Sequence, residues 1–326
     1  MAYKQSVYIK AKNILEKRRA DAMNKQQERH STVLLKCPEI AKIEREMASY
    51  GAEVVKAVAM GADAQEYIAK LSKKSLKAQA LRRETLKNAG YPEDFLEVKY
   101  TCPVCRDTGS HDGYYCDCYK KLIKQTAKEE LGIAPLLEKS TFEKFNLKYY
   151  PDITDGVLEV SQKEHMSEVL EFCREYAKDF SRKSEGLVLL GKTGLGKTHL
   201  SLAIANVVID KGYNVYYNTV QNVMNILEKE HFGKSKTDES IEEDLFESDL
   251  LILDDLGSEF TTQFTISQIY NIFNTRIINS LPTIISTNLT LSDIDEKYSQ
   301  RTASRIVGNT TLIQFCGKDI RQLKKS

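Results

Sequence analysis

Gly191-Lys192-Thr193-Gly194-Leu195-Gly196-Lys197-Thr198 fits the pattern G-x-x-x-x-G-K-[ST], and its surroundings fit as well. The apolar run Leu187-Val188-Leu189-Leu190 precedes it, and a helix-competent segment opens at His199. A strand, a glycine-rich loop and a helix in that order cradle nucleotide phosphates. Glycines let backbone N–H groups close on the anion, and the helix N-terminus adds the positive end of its dipole. In this reading Gly191, Thr193, Gly194, Leu195 and Gly196 form the cradle. Lys197 reaches the β- and γ-phosphates, and the Thr198 hydroxyl ligates Mg²⁺. The expected ligand is ATP or GTP.

Downstream, Leu250-Leu251-Ile252-Leu253-Asp254-Asp255 reads as a buried strand ending in two acids. Hard cations take oxygen ligands, so Asp254 is the expected Mg²⁺ holder, through its water shell. Asp255 is expected to orient or deprotonate the attacking water, with Glu259, four residues on, as a second acid able to share that task. The next β-rich run, Thr283-Ile284-Ile285-Ser286-Thr287-Asn288, ends in a polar side chain. Functional side chains gather at the carboxyl ends of parallel strands, which puts Asn288 near the γ-phosphate or the water. A turn-forming Asn competes with that reading, and Ser286 and Thr287 read as strand and turn residues. In Gln300-Arg301-Thr302-Ala303-Ser304-Arg305-Ile306 two arginines lie one helical turn apart on one face. They suit either a salt-bridged surface or a contribution to a neighbour's phosphoryl transfer.

Around these motifs the pattern alternates helices with short β-rich runs at 187–190, 213–217, 250–253, 283–286 and 311–315. This predicts a parallel sheet flanked by helices from about residue 160 onward. The polar stretch from Glu228 to Ser240 reads as a mobile loop. Residues 1 to about 90 read as helical, with a start at Pro38 and stops at Gly61 and Gly90. Val7, Ile9, Ile14 and Leu15 supply apolar positions in the first helix, and Ile68, Leu71, Leu81 and Leu86 a stripe in a later one. Residues 1–30 carry eight Lys/Arg against three Asp/Glu, and 66–88 carry seven against two. Such basic helices are either solvated faces or contacts for nucleic acid or an acidic partner. The net charge of +1 over 326 residues excludes a uniform polycation, so any nucleic-acid contact is expected to be a local patch. The N-terminus lacks the apolar core of a signal peptide and no run of 18 apolar residues occurs, so no membrane role is expected.

Seven cysteines include four within 17 residues: Cys102-Pro103-Val104-Cys105, then, ten residues on, Cys116-Asp117-Cys118. Four thiolates from two short loops can close a tetrahedron on Zn²⁺ at about 2.3 Å per bond. Gly109 and Gly113 permit the reversal between the halves, and His111 is left outside the ligand set. A closed four-thiolate site has no open position, so its expected role is structural. This cysteine usage suits a reducing compartment, and a cytoplasmic location is expected. Cys37, Cys173 and Cys316 lack metal spacing.

Taken together, 191–198, Leu253-Asp254-Asp255-Leu256-Gly257-Ser258-Glu259, Ser286-Thr287-Asn288, Arg301 to Arg305 and the closing Gly317-Lys318-Asp319-Ile320-Arg321 resemble one family. The chain is similar to replicative helicase loaders of the DnaC/DnaI type, within the IstB/DnaC-like group of AAA+ ATPases, over roughly residues 140–326. The resemblance implies Arg305 as a trans-acting arginine finger, with Arg301 as the other possibility, and Arg321 as a sensor-2-like arginine. It also fits the 38 residues left after Asn288, too few for a separate helical lid. The implied organisation is a helical N-terminal domain at 1–135 with a zinc knot at 102–118, a linker at 136–160 and an AAA+ domain at 161–326. The implied function is an ATPase using ATP, Mg²⁺ and Zn²⁺. It would bind the hexameric replicative DNA helicase through its N-terminal domain, self-associate there, and deliver the helicase onto single-stranded DNA. The alternative is an IstB-like transposition helper that binds duplex DNA and a transposase.

Overall fold

The computed structural model describes residues 3–58, 64–154, 160–233 and 241–323. Contacts divide the chain into two units, Lys10–Lys120 and Met1–Ile9 with Lys121–Ser326.

In the smaller unit the chain is helical, as its scarcity of glycine and proline predicts. Helix α1 spans Gln5–Lys36, α2 spans Glu39–Val58 immediately after Pro38, and α3 spans Ala64–Asn88. The predicted stop at Gly61 lies outside the described residues. Gly90 does follow the end of α3, where Tyr91 N–H reaches back to Leu86 O (2.9 Å) in a C-terminal cap. Val33, Ile40, Leu86 and Leu96 form the local core. Of the predicted apolar positions, Val7, Leu15, Leu71 and Leu86 are buried, whereas Ile9 and Leu81 are about half exposed, at 52% and 49%. The unit ends in a two-residue hairpin, β1 (Ser110–His111) and β2 (Tyr114–Tyr115), whose turn holds Asp112 and Gly113 at φ 51° and 80°. Both φ values are positive, as a tight two-residue hairpin turn demands, and Asp-Gly is the pair that supplies them.

Helix α4 (Asp117–Glu130) leads from the smaller unit into the larger, which continues with α5 (Ala134–Lys139), two 3₁₀ turns and α6 (Gln162–Asp179). Then come β3 (Gly186–Leu190), α7 (Lys197–Asp210), β4 (Val215–Thr219), α8 (Val220–His231) and α9 (Glu242–Glu247). The rest is β5 (Leu250–Leu256), α10 (Gln263–Ile278), β6 (Thr283–Thr287), α11 (Leu291–Tyr298), α12 (Gln300–Gly308), β7 (Thr310–Gln314) and α13 (Ile320–Leu323). Residues 228–231, expected as loop, complete α8, and 234–240 lie outside the described residues.

Five parallel strands make one sheet in the order β4-β5-β6-β3-β7. The three central strands are buried almost throughout because both of their faces are covered. Period-2 alternation sends Leu187, Leu189, Leu250, Ile252 and Ile284 to one core, which α6 and α7 complete. It sends Val188, Leu190, Leu251, Leu253 and Ile285 to the other, completed by α8, α10, α11 and α12. This is the expected three-layer α/β architecture.

The expected linker at 136–160 is largely packed structure. Leu137, Phe142, Phe145 and Tyr150 are buried in the same core as Leu200 and Ile204. The physical reason is composition: these large side chains, together with Leu147 and Tyr149 in the same 14 residues, are too costly to leave in water. At the other end of the unit, the Tyr3 hydroxyl donates to Ile209 O and Lys4 pairs with Asp244, so the first residues fold with the sheet domain.

Candidate functional site

At the carboxyl ends of β3, β5 and β6 lies a cleft of about 320 Å³. The residues 193–199, Asp255, Ser258, Asn288 and Arg321 line it, with the 144–149 segment opposite. The loop after β3 takes its shape from backbone conformations a side chain would forbid. Gly194 sits at φ +79°, where a Cβ would fall 2.0 Å from Asp319 Oδ1, and Gly196 at φ +92°, where it would fall 2.8 Å from Phe145. Loop and chain terminus are stitched together, since Ile320 N–H donates to Gly194 O (3.0 Å). Tyr150 OH donates to Leu195 O (2.8 Å), fixing the loop from the segment that precedes the sheet.

Lys197 opens α7 and is 95% buried, with its ammonium directed back into the loop. It donates to Gly191 O (2.5 Å), Lys192 O (2.8 Å) and Asn288 Oδ1 (2.7 Å). Burial holds its pKa below the ordinary lysine value, while Asp255 and Asp254 pull the other way. A buried cation on a glycine-rich loop at the N-terminus of a helix fits a polyanion such as a triphosphate.

Asp254 is buried at the end of β5 and accepts from three hydroxyls. Thr198 Oγ1 lies 3.0 and 2.9 Å from its two oxygens, Tyr217 OH lies 3.0 Å from Oδ2, and Ser286 Oγ donates to Oδ1. Paired Thr hydroxyl and carboxylate oxygens beside the phosphate loop fit a small hard cation. Ser286 also accepts from Asp255 N–H (3.0 Å), so one hydroxyl fixes both acids. Ser286 and Tyr217 escape motif reading: one looks like strand filling and the other like an aromatic in an edge strand. The signal available was their position two or fewer residues from strand ends that converge on the loop.

Asp255 is exposed and lines the cleft. It has φ +58°, and the β5–β6 register shifts between Leu253 and Leu256 around it. A regular strand would send Asp254 and Asp255 to opposite faces; the bulge re-aims the second toward the cleft. Partial desolvation by the cleft walls and the neighbouring Asp254 raise its pKa, opposed by Lys197 and Arg321.

Glu259 is not among the residues lining the cleft. Its side chain is fully buried, accepting from Gly257 N–H (2.9 Å) and Tyr298 OH, with Lys297 Nζ at 3.5 Å. Both oxygens are engaged away from Asp255, so the structure does not bring Glu259 to the position expected for sharing the water. Arg301 and Arg305 sit on α12, away from the residues that line this cleft. Thr302, Ala303 and Ile306 bury the helix's other face. Arg301 stacks over the Tyr270 ring at 4.9 Å, and Arg305 is the one of this pair for which no ring contact is seen among the described residues.

In the smaller unit the four Sγ atoms of Cys102, Cys105, Cys116 and Cys118 all lie within 4.8 Å of one another. Cys102 to Cys116 is 3.8 Å and Cys105 to Cys118 is 3.3 Å. A tetrahedron with metal–sulfur bonds of about 2.3 Å has edges of about 3.8 Å, so the cluster fits zinc. The buried Asp107 carboxylate accepts from Thr101 N–H (2.8 Å) and Cys102 N–H (2.9 Å), holding the first cysteine turn. His111 lies outside the cluster and contacts Asp112.

Residues 168–326, just under half of the chain, match the family model described as IstB-like ATP binding protein. The replicative helicase loader DnaC of Escherichia coli K12 is 25% identical over 185 residues, covering 56% of this chain and 70% of that protein. The DnaC loader of Buchnera aphidicola subsp. Acyrthosiphon pisum is 28% identical over 208 residues, covering 63% and 79%. A crystal structure of the DnaC helicase loader aligns at TM-score 0.43 and 24% identity over 54% of this chain. No helix among the described residues is long and apolar enough to cross a membrane.

Two measurements check this site. Lys197→Ala removes the buried cation, and equilibrium binding of a fluorescent ATP analogue should weaken by about a hundredfold or more, while thermal melting stays cooperative. Metal analysis should find about one zinc per chain, and a chelator should abolish amide protection in 100–120 because a four-thiolate site is folding free energy for so small a module. Full protection in a metal-free protein would refute the zinc assignment.

Proposed function

We propose that this protein is an ATP-hydrolysing loader that binds a replicative DNA helicase and delivers it onto single-stranded DNA. One observation carries the hydrolytic part: the ends of three strands bring Lys197, the Thr198–Asp254 pair, Asp255 and Asn288 around one cleft in an ATP-binding family domain. The loading part rests on the relatives, which are named helicase loaders.

In this reading the amides of 191–198 and the Lys197 ammonium hold the triphosphate. Thr198 and Asp254 would hold Mg²⁺, which supplies charge neutralisation on the phosphate oxygens when bound. Tyr217 and Ser286 keep the Asp254 carboxylate turned toward Thr198. Asp255 sits at the cleft with its carboxylate free to accept a proton from water, and Asn288 donates or accepts beside it. No unusual pKa is demanded of Asp255, because phosphoryl transfer depends mainly on positioning and charge stabilisation. Arg305 completes a neighbouring copy's site and not its own, which makes hydrolysis depend on assembly. Arg321 also lines the cleft and would face the phosphates.

Single-strand contact has its own support. His231 and Phe232 end α8 and pack edge-on at 5.1 Å, His231 lies 5.1 Å from Phe264, and Phe232 is 65% exposed. Phe260, 82% exposed, precedes α10, on which Phe264 lies. Exposed aromatic faces suit stacking with unpaired bases, which needs no sequence preference.

The deciding experiment mixes the protein with the helicase of its own cell, with and without ATP, and follows complex formation by analytical ultracentrifugation. A complex should form, and Arg305→Ala should leave it and nucleotide affinity intact while reducing stimulated hydrolysis by about a thousandfold. Absence of any complex would sink the loader reading, and capture of a transposase with preference for duplex DNA would install the transposition-helper reading. Separately, Phe232→Ala with Phe260→Ala should weaken fluorescence-monitored binding to an unstructured oligonucleotide by about tenfold or more. Unchanged affinity would remove this surface from the proposal.

A further inference from the structure

The loop that follows the two acids is tied to the helix that carries the arginines. Ser258 Oγ and N–H both return to Asp255 O (2.7 and 3.1 Å), closing a turn directly after the cleft residue. Glu259 ends that turn with a fully buried carboxylate. From α11, Tyr298 OH donates to Glu259 Oε1, and Lys297 Nζ donates to Gly257 O (2.6 Å) and Glu259 O (3.4 Å). Burial and Glu259 keep the Tyr298 phenol protonated, hence a donor. Next after Tyr298 comes Ser299 at φ +86°, ψ 148°, a conformation that residues other than glycine rarely adopt. Ser299 is the N-cap of α12, and its carbonyl accepts from Thr302 and Ala303 N–H (3.0 and 3.1 Å).

We propose that Glu259, Tyr298 and Lys297 form a latch that transmits the state of the Asp254–Asp255 turn to α12, making Glu259 a positioning residue for Arg305. This rests on reading the cleft as an ATP site. A buried carboxylate needs all its donors, so a shift of Gly257 and Glu259 has two outcomes: it drags Tyr298 and Lys297 along, or it leaves a charge unpaired at high cost. The strained Ser299 makes the junction bistable, because a backbone held in a rare region by its neighbours relaxes once those neighbours move. Joint movement of the turn and the helix is therefore the low-cost outcome. Regulation of the trans-acting arginine by the nucleotide follows from that coupling.

Hydrogen–deuterium exchange of the full-length protein with and without Mg-ATP tests it. In the wild-type protein, nucleotide should alter exchange in both 197–210 and 299–308. In Tyr298→Phe the change in 197–210 should persist, with ATP affinity within about twofold. The change in 299–308 should fall to about a tenth, the factor for loss of one hydrogen bond to a charged acceptor. Lys297→Met, at a side chain 21% exposed, is the second variant and should act in the same direction should Tyr298→Phe melt early. A general loss of structure would move both segments together, which separates damage from uncoupling. A wild-type response of 299–308 in both variants would overturn the latch, as would a wild-type protein whose 299–308 ignore nucleotide while 197–210 respond. If 197–210 ignore ATP in the wild-type protein, the nucleotide reading fails and the latch goes with it.

Discussion

A carboxylate at the dry end of a hydrophobic strand has to be met by donors, and Asp254 is met by three from three different elements. Thr198 comes from α7, Ser286 from β6 and Tyr217 from β4. Leaving such a group unpaired inside a protein costs several kcal/mol, comparable to the whole stability of a domain. The requirement constrains the sheet. For Ser286 to reach Asp254 while Asn288, two residues on and on the same side of the chain, reaches Lys197, β6 must run between β5 and β3, which is its position. The strand order is thus tied to the chemistry of the cleft, and hydrophobic alternation on both faces supplies the energy that holds it.

Two adjacent acids on a regular strand would part company, one per face. The bulge between Leu253 and Leu256 and the positive φ of Asp255 resolve that conflict. Such a conformation costs about 1–3 kcal/mol and persists only where its surroundings over-determine it. Here Ser286 takes the Asp255 N–H, Thr287 Oγ1 donates to Leu256 O (2.7 Å), and Ser258 closes the turn. Local rule-breaking of this kind concentrates where a fold gives up stability for function.

The phosphate loop, the five strands and the cysteine cluster were legible in the sequence because each is local: a fixed spacing, a short apolar run, a Cys-x-x-Cys followed by Cys-x-Cys. What depends on contacts between distant segments was not. Glu259 looked like a second cleft acid from its spacing, and only Tyr298 and Lys297, about 40 residues downstream, reveal why it turns away. Leu137, Phe142, Phe145 and Tyr150 looked like linker because prolines and a glycine interrupt them, yet tertiary burial overrides punctuation. Arg276 is the extreme case. A guanidinium with no exposure at all donates to Thr283, Ser248 and the carbonyls of Leu245, Ser248 and Pro282, stitching α9 to the entries of β5 and β6. Burial lowers its pKa to about 9, still charged at neutral pH. No pattern in a single chain separates such an arginine from the surface arginines around it.

Asn288 joins these threads. On the proposed reading a triphosphate oxygen competes with Asn288 Oδ1 for the Lys197 ammonium, and the phosphate, being charged, makes the stronger bond. Asn288 is then released toward the phosphate or the water beside Asp255. Leu289, the residue after it, packs against Gly257, where an added Cβ would fall 2.7 Å from Leu289 Cδ1. Movement at Asn288 therefore bears on the same turn that Glu259 closes. On that reading lysine, asparagine and the acid turn form one mechanical chain, whose first link to change would be the partner of a single buried ammonium.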